Sequence, residues 1–268
     1  MSELEVINRT KTPNTVDTLI SDFQKLGLKG KDTVLVHSSL SAIGWVCGDE
    51  NTVIEALLKT VGKEGTICMP AHSGSNSDPA LWENPPVPKE WNEIIYQNMP
   101  VFNPDITPTK GIGRIAEFFR IYPGTVRSYH PHTSFCANGK YANEITEKHV
   151  LTPQFGMDSP LGKLYQLNAK ILLLGVSYGN CTSFHMGEVL SGNTAKLKAG
   201  AAMEINHNRE WVWFEDYNYN SDDFDDLGKD FELQAEVKIG NVGNAVCRLF
   251  DMKPGVDFST KWLQKHRG

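Results

Sequence analysis

The side chains of His185 and Glu188 could together take a proton from a ligand or return one to it. They lie three residues apart, after the apolar run 171–176, a turn of small residues and a helix start at Thr182 or Ser183. The run suits a strand buried on both faces of a parallel sheet, and residues three apart share one helix face. Ligands of open α/β sheets bind beyond the carboxyl ends of strands, where a histidine can act as a base near neutral pH. The local pattern leaves a catalytic and a structural role for His185 open.

Glu215 and Asp216 offer a second carboxylate that could reach His185. Both lie on strand-like sequence at the start of an acidic stretch, residues 215–232, which contains eight acids and one lysine. A carboxylate bonded to an imidazole holds its tautomer and raises its basicity, as in hydrolase triads. The rest of the stretch is either a solvated helix face or a negative wall that attracts a polycationic ligand.

Two further segments have the composition of anion-binding loops. Residues 36–50, VHSSLSAIGWVCGDE, bring three serines and two glycines to a helix start, and residues 107–114, TPTKGIGR, bring two glycines flanked by Lys110 and Arg114. Backbone N–H groups and the helix dipole favour a phosphate at such places. Neither segment is a Walker loop or a GxGxxG motif, so an ordinary strand-to-helix loop and a capped helix start remain the alternatives.

Two other chemistries have some support in the residue types. His130, His132, His72 and Asp78 could ligate zinc, but the chain has no HExxH motif and no carboxylate at a fixed offset, which favours a packed turn. Cys181, four residues before the candidate base, could act as a thiolate nucleophile. A cysteine more often packs as a small buried hydrophobe, so we do not expect it to be the nucleophile.

Composition excludes several classes of protein. The 268 residues are 40% hydrophobic and 22% charged with a net charge of −6, which does not favour nucleic acid or an anionic membrane as a partner. No apolar run approaches the roughly 20 residues that span a bilayer, and the start MSELEVINRT lacks an apolar signal core. Five scattered cysteines without a CxxC pair indicate reduced thiols. We therefore expect a cytoplasmic protein.

The elements that must position these residues follow from periodicity and from turn formers. Helix 49–61 between strands 32–36 and 65–69 predicts a parallel βαβ unit. The breaker-rich loops 84–88 and 103–108 predict a lid or a wall of the site. Further elements are predicted as helices over 15–26 and 112–121, strands over 204–216 and 236–250, and an acidic helix over 222–232. The expected fold is α/β, with a mixed sheet of parallel βαβ units flanked by helices and a β-rich C-terminal part, in one domain over residues 1–268.

The order of the motifs resembles the aminoglycoside 3-N-acetyltransferase family. The resemblance is carried by residues 35–70, 106–135 and 171–188, which contain LVHSSLSAIGW, ITPTKGIGR and ILLLGVSYGNCTSFHMGE. The loop 78–91, DPALWENPPVPKEW, is similar to the Bacillus-type members. The resemblance covers nearly the whole chain.

The resemblance implies an antibiotic N-acetyltransferase-like fold that uses acetyl-CoA as co-substrate, without a metal and without an acyl-enzyme. It implies that His185 is the catalytic histidine, that Glu188 is the helical glutamate beside it, and that Asp216 orients the imidazole. Asp216 is one methylene shorter than the family's usual glutamate, and Glu215 is the neighbouring alternative. The coenzyme-binding residues implied by the family pattern are Ser38, Ser39, Leu40, Ser41, Gly44, Thr109, Lys110, Gly111, Gly113, Ser134 and Phe135.

The sequence thus predicts an acyltransferase that acetylates the 3-amino group of an aminoglycoside or a similar polyamine sugar, with His185 as general base. An acetyltransferase for a different amine and a non-catalytic coenzyme A-binding module are the alternatives; a metal hydrolase and a Cys–His acyltransferase are more distant ones. The residues do not identify the acceptor amine or a role in antibiotic resistance, and they leave a monomer and a homodimer open. Backbone N–H groups and the Thr182 hydroxyl are both candidates for stabilising the oxyanion.

Overall fold

The computed structural model describes residues 2–268, which form a seven-stranded mixed sheet and a separate hairpin. The strands are β1 Thr33–Ser38, β2 Thr66–Pro70, β3 Val126–Arg127, β4 Phe135–Gly139, β5 Lys170–Leu174, β6 Lys196–Ile205, β7 Asn208–Tyr217, β8 Lys238–Val242 and β9 Ala245–Asp251. The strands of the large sheet stand in the order β3-β4-β2-β1-β5-β9-β8, and β6 pairs with β7. The helices are α1 Glu3–Arg9, α2 Val16–Leu26, α3 Leu40–Ile43, α4 Asp49–Val61, α5 Asn92–Asn98, α6 Arg114–Arg120, α7 Ala142–Thr146, α8 Pro160–Gln166, α9 Ser183–Ser191, α10 Phe224–Glu232 and α11 Met252–His266. None of the helices within residues 2–268 combines the length and apolarity that a bilayer crossing requires.

The centre of the large sheet is parallel. Strand β1 pairs in parallel with β2 on one side and β5 on the other, whereas β4 and β9 pair antiparallel with the outer sides of β2 and β5. Helix α4 connects β1 to β2, which confirms the βαβ unit that the sequence predicts. The register aligns Ser38 with Leu174, so β1 and β5 end side by side.

Two hydrophobic cores cover the two faces of this sheet. Alternate residues of β1 divide between them, with Val34 and Val36 in one core and Leu35 in the other, as the two-residue period of a strand requires. The first core packs under α2, α4 and α6, and the second packs under α7 to α11. Because both faces are covered, the central strands read as continuous apolar runs.

The predicted C-terminal strands are each a hairpin rather than a single strand. The stretch 204–216 contains the turn between β6 and β7, where Asn206 and His207 have φ of 51° and 64°. Two successive positive φ values are typical of a two-residue hairpin turn. The apolar and aromatic residues of the segment make it resemble a single strand in the sequence. The stretch 236–250 likewise turns at Gly243 between β8 and β9, and these strands join the large sheet.

Helix boundaries agree closely with the sequence where capping signals are present. Thr15 caps α2 by accepting a hydrogen bond from the Thr18 N–H, and Gly27 ends it with φ of 108°, as expected for a C-terminal glycine. Helix α10 begins at Phe224, two residues later than predicted, and α6 begins at Arg114 directly after Gly113. Between β2 and α6 the chain leaves the sheet, and this segment contains the breaker-rich loops 84–88 and 103–108. Neither loop contributes a lining residue to the main cleft that is described below.

Helix α9, which carries His185 and Glu188, packs closely against α11 through a glycine. A Cβ atom built on Gly187 would lie 2.2 Å from Ser259 Oγ and 3.1 Å from the Thr260 backbone nitrogen. Ser259 Oγ is held in place because it donates a hydrogen bond to the Val256 carbonyl at 2.9 Å. The absence of a side chain at residue 187 therefore sets the distance between the two helices.

We expect Gly187→Ala to lower the free energy of unfolding. Crowding against α11 costs about 1–3 kcal/mol, which outweighs the gain of up to about 1 kcal/mol in helix propensity. Urea unfolding checks this, with Gly30→Ala as the control, because a Cβ atom on Gly30 meets nothing within 4 Å. The double variant Gly187→Ala/Ser259→Gly should recover part of the loss. Equal midpoints for Gly187→Ala and Gly30→Ala would contradict this account of the packing.

Candidate active site

A cleft of about 850 Å³ lies beyond the carboxyl ends of the parallel strands. The end of β1, the loop after β5 and the first turn of α9, which carries His185, line this cleft. This is the place where ligands of open α/β sheets bind. The cleft is lined from the loops around it by Ser38, Ser39, Leu40, Ser41, Gly44, Gly111, Gly113, Gly179, Asn180 and Thr182.

His185 and Glu188 form a hydrogen-bonded pair on the first turns of α9. The distance from His185 Nδ1 to Glu188 Oε2 is 2.5 Å. The histidine side chain is 18% exposed and the glutamate is fully buried. An ionised carboxylate only accepts hydrogen bonds, so this contact assigns the proton to Nδ1 and leaves Nε2 as the ring nitrogen available to a group in the cleft.

Aromatic side chains hold the His185 ring on three sides. Phe155 stacks on it with ring centroids 5.2 Å apart and an interplanar angle of 13°, and the Phe224 and Tyr219 rings lie 4.9 Å and 5.4 Å away. These contacts and the bond to Glu188 leave the imidazole little freedom to rotate. A base held in one orientation is a requirement for efficient proton transfer.

Glu188, rather than Asp216, is the carboxylate that bonds the candidate base. Asp216 is buried and accepts hydrogen bonds from the Gln154 and Tyr217 N–H groups at 3.1 Å and 2.8 Å and from the Tyr219 hydroxyl at 3.2 Å. Burial raises the pKa of the Asp216 carboxyl group, against the lowering effect of these bonds. The direct contact predicted between Asp216 and His185 is thus replaced by an indirect one, in which Asp216 holds Tyr219 and the loop that carries the stacking ring of Phe155.

Glu215 is not a substitute for Asp216 at the cleft. Neighbouring residues of a strand point to opposite faces, and the Glu215 side chain is exposed while Asp216 is buried. The Glu215 backbone carbonyl accepts a hydrogen bond from the Thr152 hydroxyl at 2.8 Å. Both residues therefore support the loop 152–155 from the end of β7.

The predicted coenzyme-binding residues divide into those that line the cleft and those behind its wall. The lining residues are Ser38, Ser39, Leu40, Ser41, Gly44, Gly111 and Gly113. Gly44 and Gly113 have φ of 95° and 86°, backbone conformations that glycine adopts readily. The two loops adjoin, since a Cβ atom on Gly113 would lie 3.6 Å from the Ser38 carbonyl oxygen, and together they bring hydroxyl groups and flexible backbone to the cleft.

Four predicted coenzyme residues lie away from the main cleft. Thr109 donates from its N–H and its hydroxyl to Glu117 at 3.0 Å and 2.7 Å, and it lines a neighbouring groove of about 460 Å³ that shares Gly111–Arg114 with the cleft. The Lys110 backbone N–H donates to the His72 carbonyl at 2.9 Å. Ser134 and Phe135 are fully buried. These residues hold the wall in place instead of lining it.

The buried His37 and the half-buried His72 carry no role in the sequence prediction, apart from the zinc alternative for His72. His37 is the second-last residue of β1, directly before Ser38, and His72 follows β2; both line the cleft. Burial, with a further contribution from His185, lowers the pKa of His37 to about 3, and burial lowers that of His72 to about 3. Among the described residues, neither Nε2 atom has a hydrogen-bond partner. In the sequence, the only indication that one of these histidines lies in the cleft is the position of His37 near the end of a buried strand.

The metal and thiolate alternatives receive no support from the described residues. Within residues 2–268, no three His, Cys, Asp or Glu side chains are grouped in a way that could hold a metal ion. His130 Nδ1 accepts hydrogen bonds from the His132 and Thr133 N–H groups, which makes this segment a packed turn. Burial raises the pKa of the Cys181 thiol to about 12, so the residue is a buried thiol and not a thiolate at neutral pH.

The acidic stretch contributes side chains to the site and to the surface alike. Asp225 accepts hydrogen bonds from the Ser177 hydroxyl at 3.1 Å and from the Gly179 N–H at 3.0 Å, at the edge of the cleft. Asp223 pairs with Arg267, whereas Asp226 pairs with Lys229 at 2.7 Å on the exposed side of α10. Only part of the predicted negative wall therefore faces the cleft.

The mixed sheet flanked by helices defines an α/β protein. The His185–Glu188 pair and two glycine-containing loops at one cleft define a candidate acid–base site. Comparisons with known proteins agree with this class of protein and identify its family. The profile of the family described as Aminoglycoside 3-N-acetyltransferase matches residues 35–264. The chain belongs to this family.

Individual relatives cover almost the whole chain. It is 43% identical over 260 residues to the SPbeta prophage-derived aminoglycoside N(3')-acetyltransferase-like protein YokD of Bacillus subtilis (strain 168), covering 97% of this chain and 96% of YokD. The crystal structure of YokD superposes with a TM-score of 0.96 over 98% of both chains. AAC-VIa bound to sisomicin has a TM-score of 0.86 at 28% identity, over 96% of this chain and 100% of that one. AAC-IIIb in a binary complex with CoASH has a TM-score of 0.85 at 28% identity, over 96% and 98%.

The buried histidines predict a loss of stability in mild acid. Burial lowers the pKa of His132 and His149 to about 4 in the folded protein, as it lowers those of His37 and His72 to about 3. The unfolded chain takes up these protons near pH 6.5. The unfolded state therefore binds more protons as the pH falls from about 6.5 towards 4, and the free energy of unfolding decreases over that window.

Urea midpoints at pH 7.5 and pH 5 measure this loss. His72→Leu should make the difference between the two midpoints smaller, because its ring packs against Phe135 and Phe155 and is replaced by an apolar group. The exposed His207, whose side chain is 99% accessible, supplies the control His207→Leu. Equal midpoints at both pH values in the unmodified protein would show that histidine burial has no effect on its stability.

Proposed function

We propose that this protein is an acetyl-CoA-dependent N-acetyltransferase whose acceptor is the 3-amino group of an aminoglycoside or a similar polyamine sugar. The observation that carries the proposal is the His185–Glu188 pair at 2.5 Å, at a cleft with two adjoining loops of an anion-binding type. The complexes of AAC-IIIb with CoASH and of AAC-VIa with sisomicin support both substrate classes. Family membership supports the position of the acetylated amine.

In the proposed reaction, His185 acts as general base through Nε2. It takes a proton from the acceptor amine while the amine nitrogen forms a bond to the thioester carbonyl carbon of the co-substrate. Collapse of the tetrahedral intermediate breaks the carbon–sulfur bond, and His185 returns the proton to the leaving thiolate. Glu188 keeps the proton on Nδ1, so that the lone pair of Nε2 faces the amine. The products are an uncharged amide and free coenzyme A.

The oxyanion of this intermediate needs a donor close to the candidate base. Thr182 lines the cleft, is mostly buried and lies three residues before His185. Its hydroxyl, or a backbone N–H group of the same turn, would supply the hydrogen bond that stabilises developing negative charge. The loops 38–44 and 111–113 would hold the pantetheine and phosphate groups.

The acceptor would bring several positive charges to this cleft. Asp225 at its edge and Asp49 in its lining are acids that such a ligand could approach, and His37 and His72, which also line the cleft, remain uncharged at neutral pH. The net charge of −6 also favours a cationic ligand over an anionic one. We further propose that the whole chain works as one domain, since β8 and β9 complete the sheet that contains β1.

The experiment that tests the function is acetyl transfer by His185→Ala. Thiol release from acetyl-CoA, measured with a panel of aminoglycosides and simpler amines, should fall by the roughly 10²–10⁴-fold expected for loss of a general base. Acetyl-CoA affinity by calorimetry should stay near that of the unmodified protein, as it should in the surface control His207→Ala. Undiminished turnover by His185→Ala would exclude the residue as the base.

Glu188→Gln and Asp216→Asn separate the two candidate carboxylates. Because Glu188 accepts directly from the imidazole, its replacement should reduce kcat more than that of Asp216, which acts through a loop and a tyrosine. Asp216→Asn should lower the urea midpoint, since a buried side chain with three hydrogen bonds is perturbed. A greater loss of kcat in fully folded Asp216→Asn than in Glu188→Gln would return the orienting role to Asp216.

A further inference from the structure

Arg267, which follows α11, reaches across the fold to the carboxylate of Glu188. Its Nη1 atom donates to Glu188 Oε1, the oxygen that does not contact the imidazole. The two residues are 79 positions apart in the chain. Within the described part of the chain, Arg267 is the one Lys or Arg side chain within ion-pair distance of Glu188.

Glu188 needs such a partner because its carboxylate is completely removed from solvent. A buried charge is strongly unfavourable unless it is paired and hydrogen-bonded. Its Oε2 accepts from His185, and its Oε1 accepts from Arg267 and from the Asn220 N–H at 3.0 Å. Three donors from three parts of the chain therefore fix the carboxylate in position.

Arg267 is itself held so that its guanidinium cannot turn away. Nε donates to Asp223 Oδ2 at 2.8 Å, Nη2 donates to the other oxygen of Asp223, and Nη2 also donates to the Asn220 carbonyl at 2.7 Å. The guanidinium carbon lies 5.8 Å from the centroid of Phe224, whose ring contacts His185 at 4.9 Å. The planar fork of arginine suits this two-sided arrangement better than a lysine ammonium.

We propose that Arg267 is a positioning residue for the His185–Glu188 pair: it fixes the glutamate and sets the pH at which the pair can accept the substrate proton. This inference rests on the proposed function of the pair and adds a residue to it. A fixed positive charge beside the pair opposes uptake of a proton by either member at low dielectric. The bond of Arg267 to Oε1 also leaves Oε2 to accept from Nδ1, so that Nε2 is the base.

Arg267 is the cation shared by Glu188 and Asp223, so Arg267→Gln would leave both acids without it. The other titratable groups near the pair are His37 and His72, which are neutral at physiological pH, and Tyr219, whose hydroxyl donates to the buried Asp216. Because interacting groups titrate together, the expected shift belongs to the pair and not to one of its members.

Arg267→Gln and Arg267→Lys test the proposal in the full-length protein. Arg267→Gln should lower kcat by up to about 100-fold, the scale of a small misplacement of reacting groups. It should also move the acidic limb of kcat/KM to higher pH. Arg267→Lys keeps the charge but not the fork, so kcat should fall while the limb stays near its original pH. Acetyl-CoA affinity by calorimetry should be unchanged in both.

Lys265→Gln is the matched control, since it removes one positive charge from the exposed side of the last turn of α11. It should leave kcat and the pH profile as they are. Millimolar guanidinium added to Arg267→Ala should restore part of kcat and return the limb towards its original pH. Methylammonium at the same concentration should not do so.

Two results would overturn the proposal. One is an Arg267→Gln variant with unchanged kcat and an unchanged acidic limb. The other is a loss of kcat in step with a loss of folded protein, without a shift of the limb, which would make Arg267 purely structural. If the unmodified protein acetylates no amine, the proposed function fails on its own. The NMR titration midpoint of the His185 ring, compared between the unmodified protein and Arg267→Gln, then still decides whether Arg267 controls the pair.

Discussion

The parallel pairing of β1 with β5 places the parts of the cleft at one edge of the sheet. The register from Val34 with Lys170 to Ser38 with Leu174 makes both strands end at the same level. The chain then turns at Gly175, where an added Cβ atom would lie 2.4 Å from the Cβ of Ala42 in α3. The serine loop and the start of α9 therefore meet within one cleft, although more than a hundred residues separate them in the chain.

The cost of burying charge explains most of the polar arrangement around this edge. Water is excluded from Glu188, so the protein supplies an imidazole, a backbone N–H and a guanidinium as its partners. His37 and His72 lack a comparable carboxylate and remain neutral, because desolvation disfavours their charged forms. Three histidines at one cleft thus have different electrostatic surroundings, and within the described chain only His185 of the three is hydrogen-bonded to a carboxylate.

The packing of α9 against α11 links the second hydrophobic core to the candidate site in the cleft. Gly187 allows the two helices to approach, and that approach brings Arg267, directly after α11, within reach of Glu188 in α9. The rings of Phe155, Phe224 and Tyr219 then fill the space around His185. Helix packing and the geometry of the candidate site are therefore coupled, since a shift of α11 would move both the partner of the Glu188 carboxylate and the contacts of the rings.

The sequence by itself determined the features that depend on neighbouring residues. The βαβ unit, the caps of α2 and the glycine-containing loops follow from local periodicity and turn formers. The placement of His185 and Glu188 on one helix face follows from their spacing of three residues, whereas the imidazole is expected from the sequence to bond Asp216, and only the structure shows its hydrogen bond to Glu188. Only the tertiary structure decided that Asp216 bonds Gln154 and Tyr219, that Ser134 and Phe135 lie behind the wall, and that Arg267 bonds Glu188. These contacts join residues from distant elements, and their existence depends on how helices and strands pack, on which face each residue occupies, and on which buried charges require a partner.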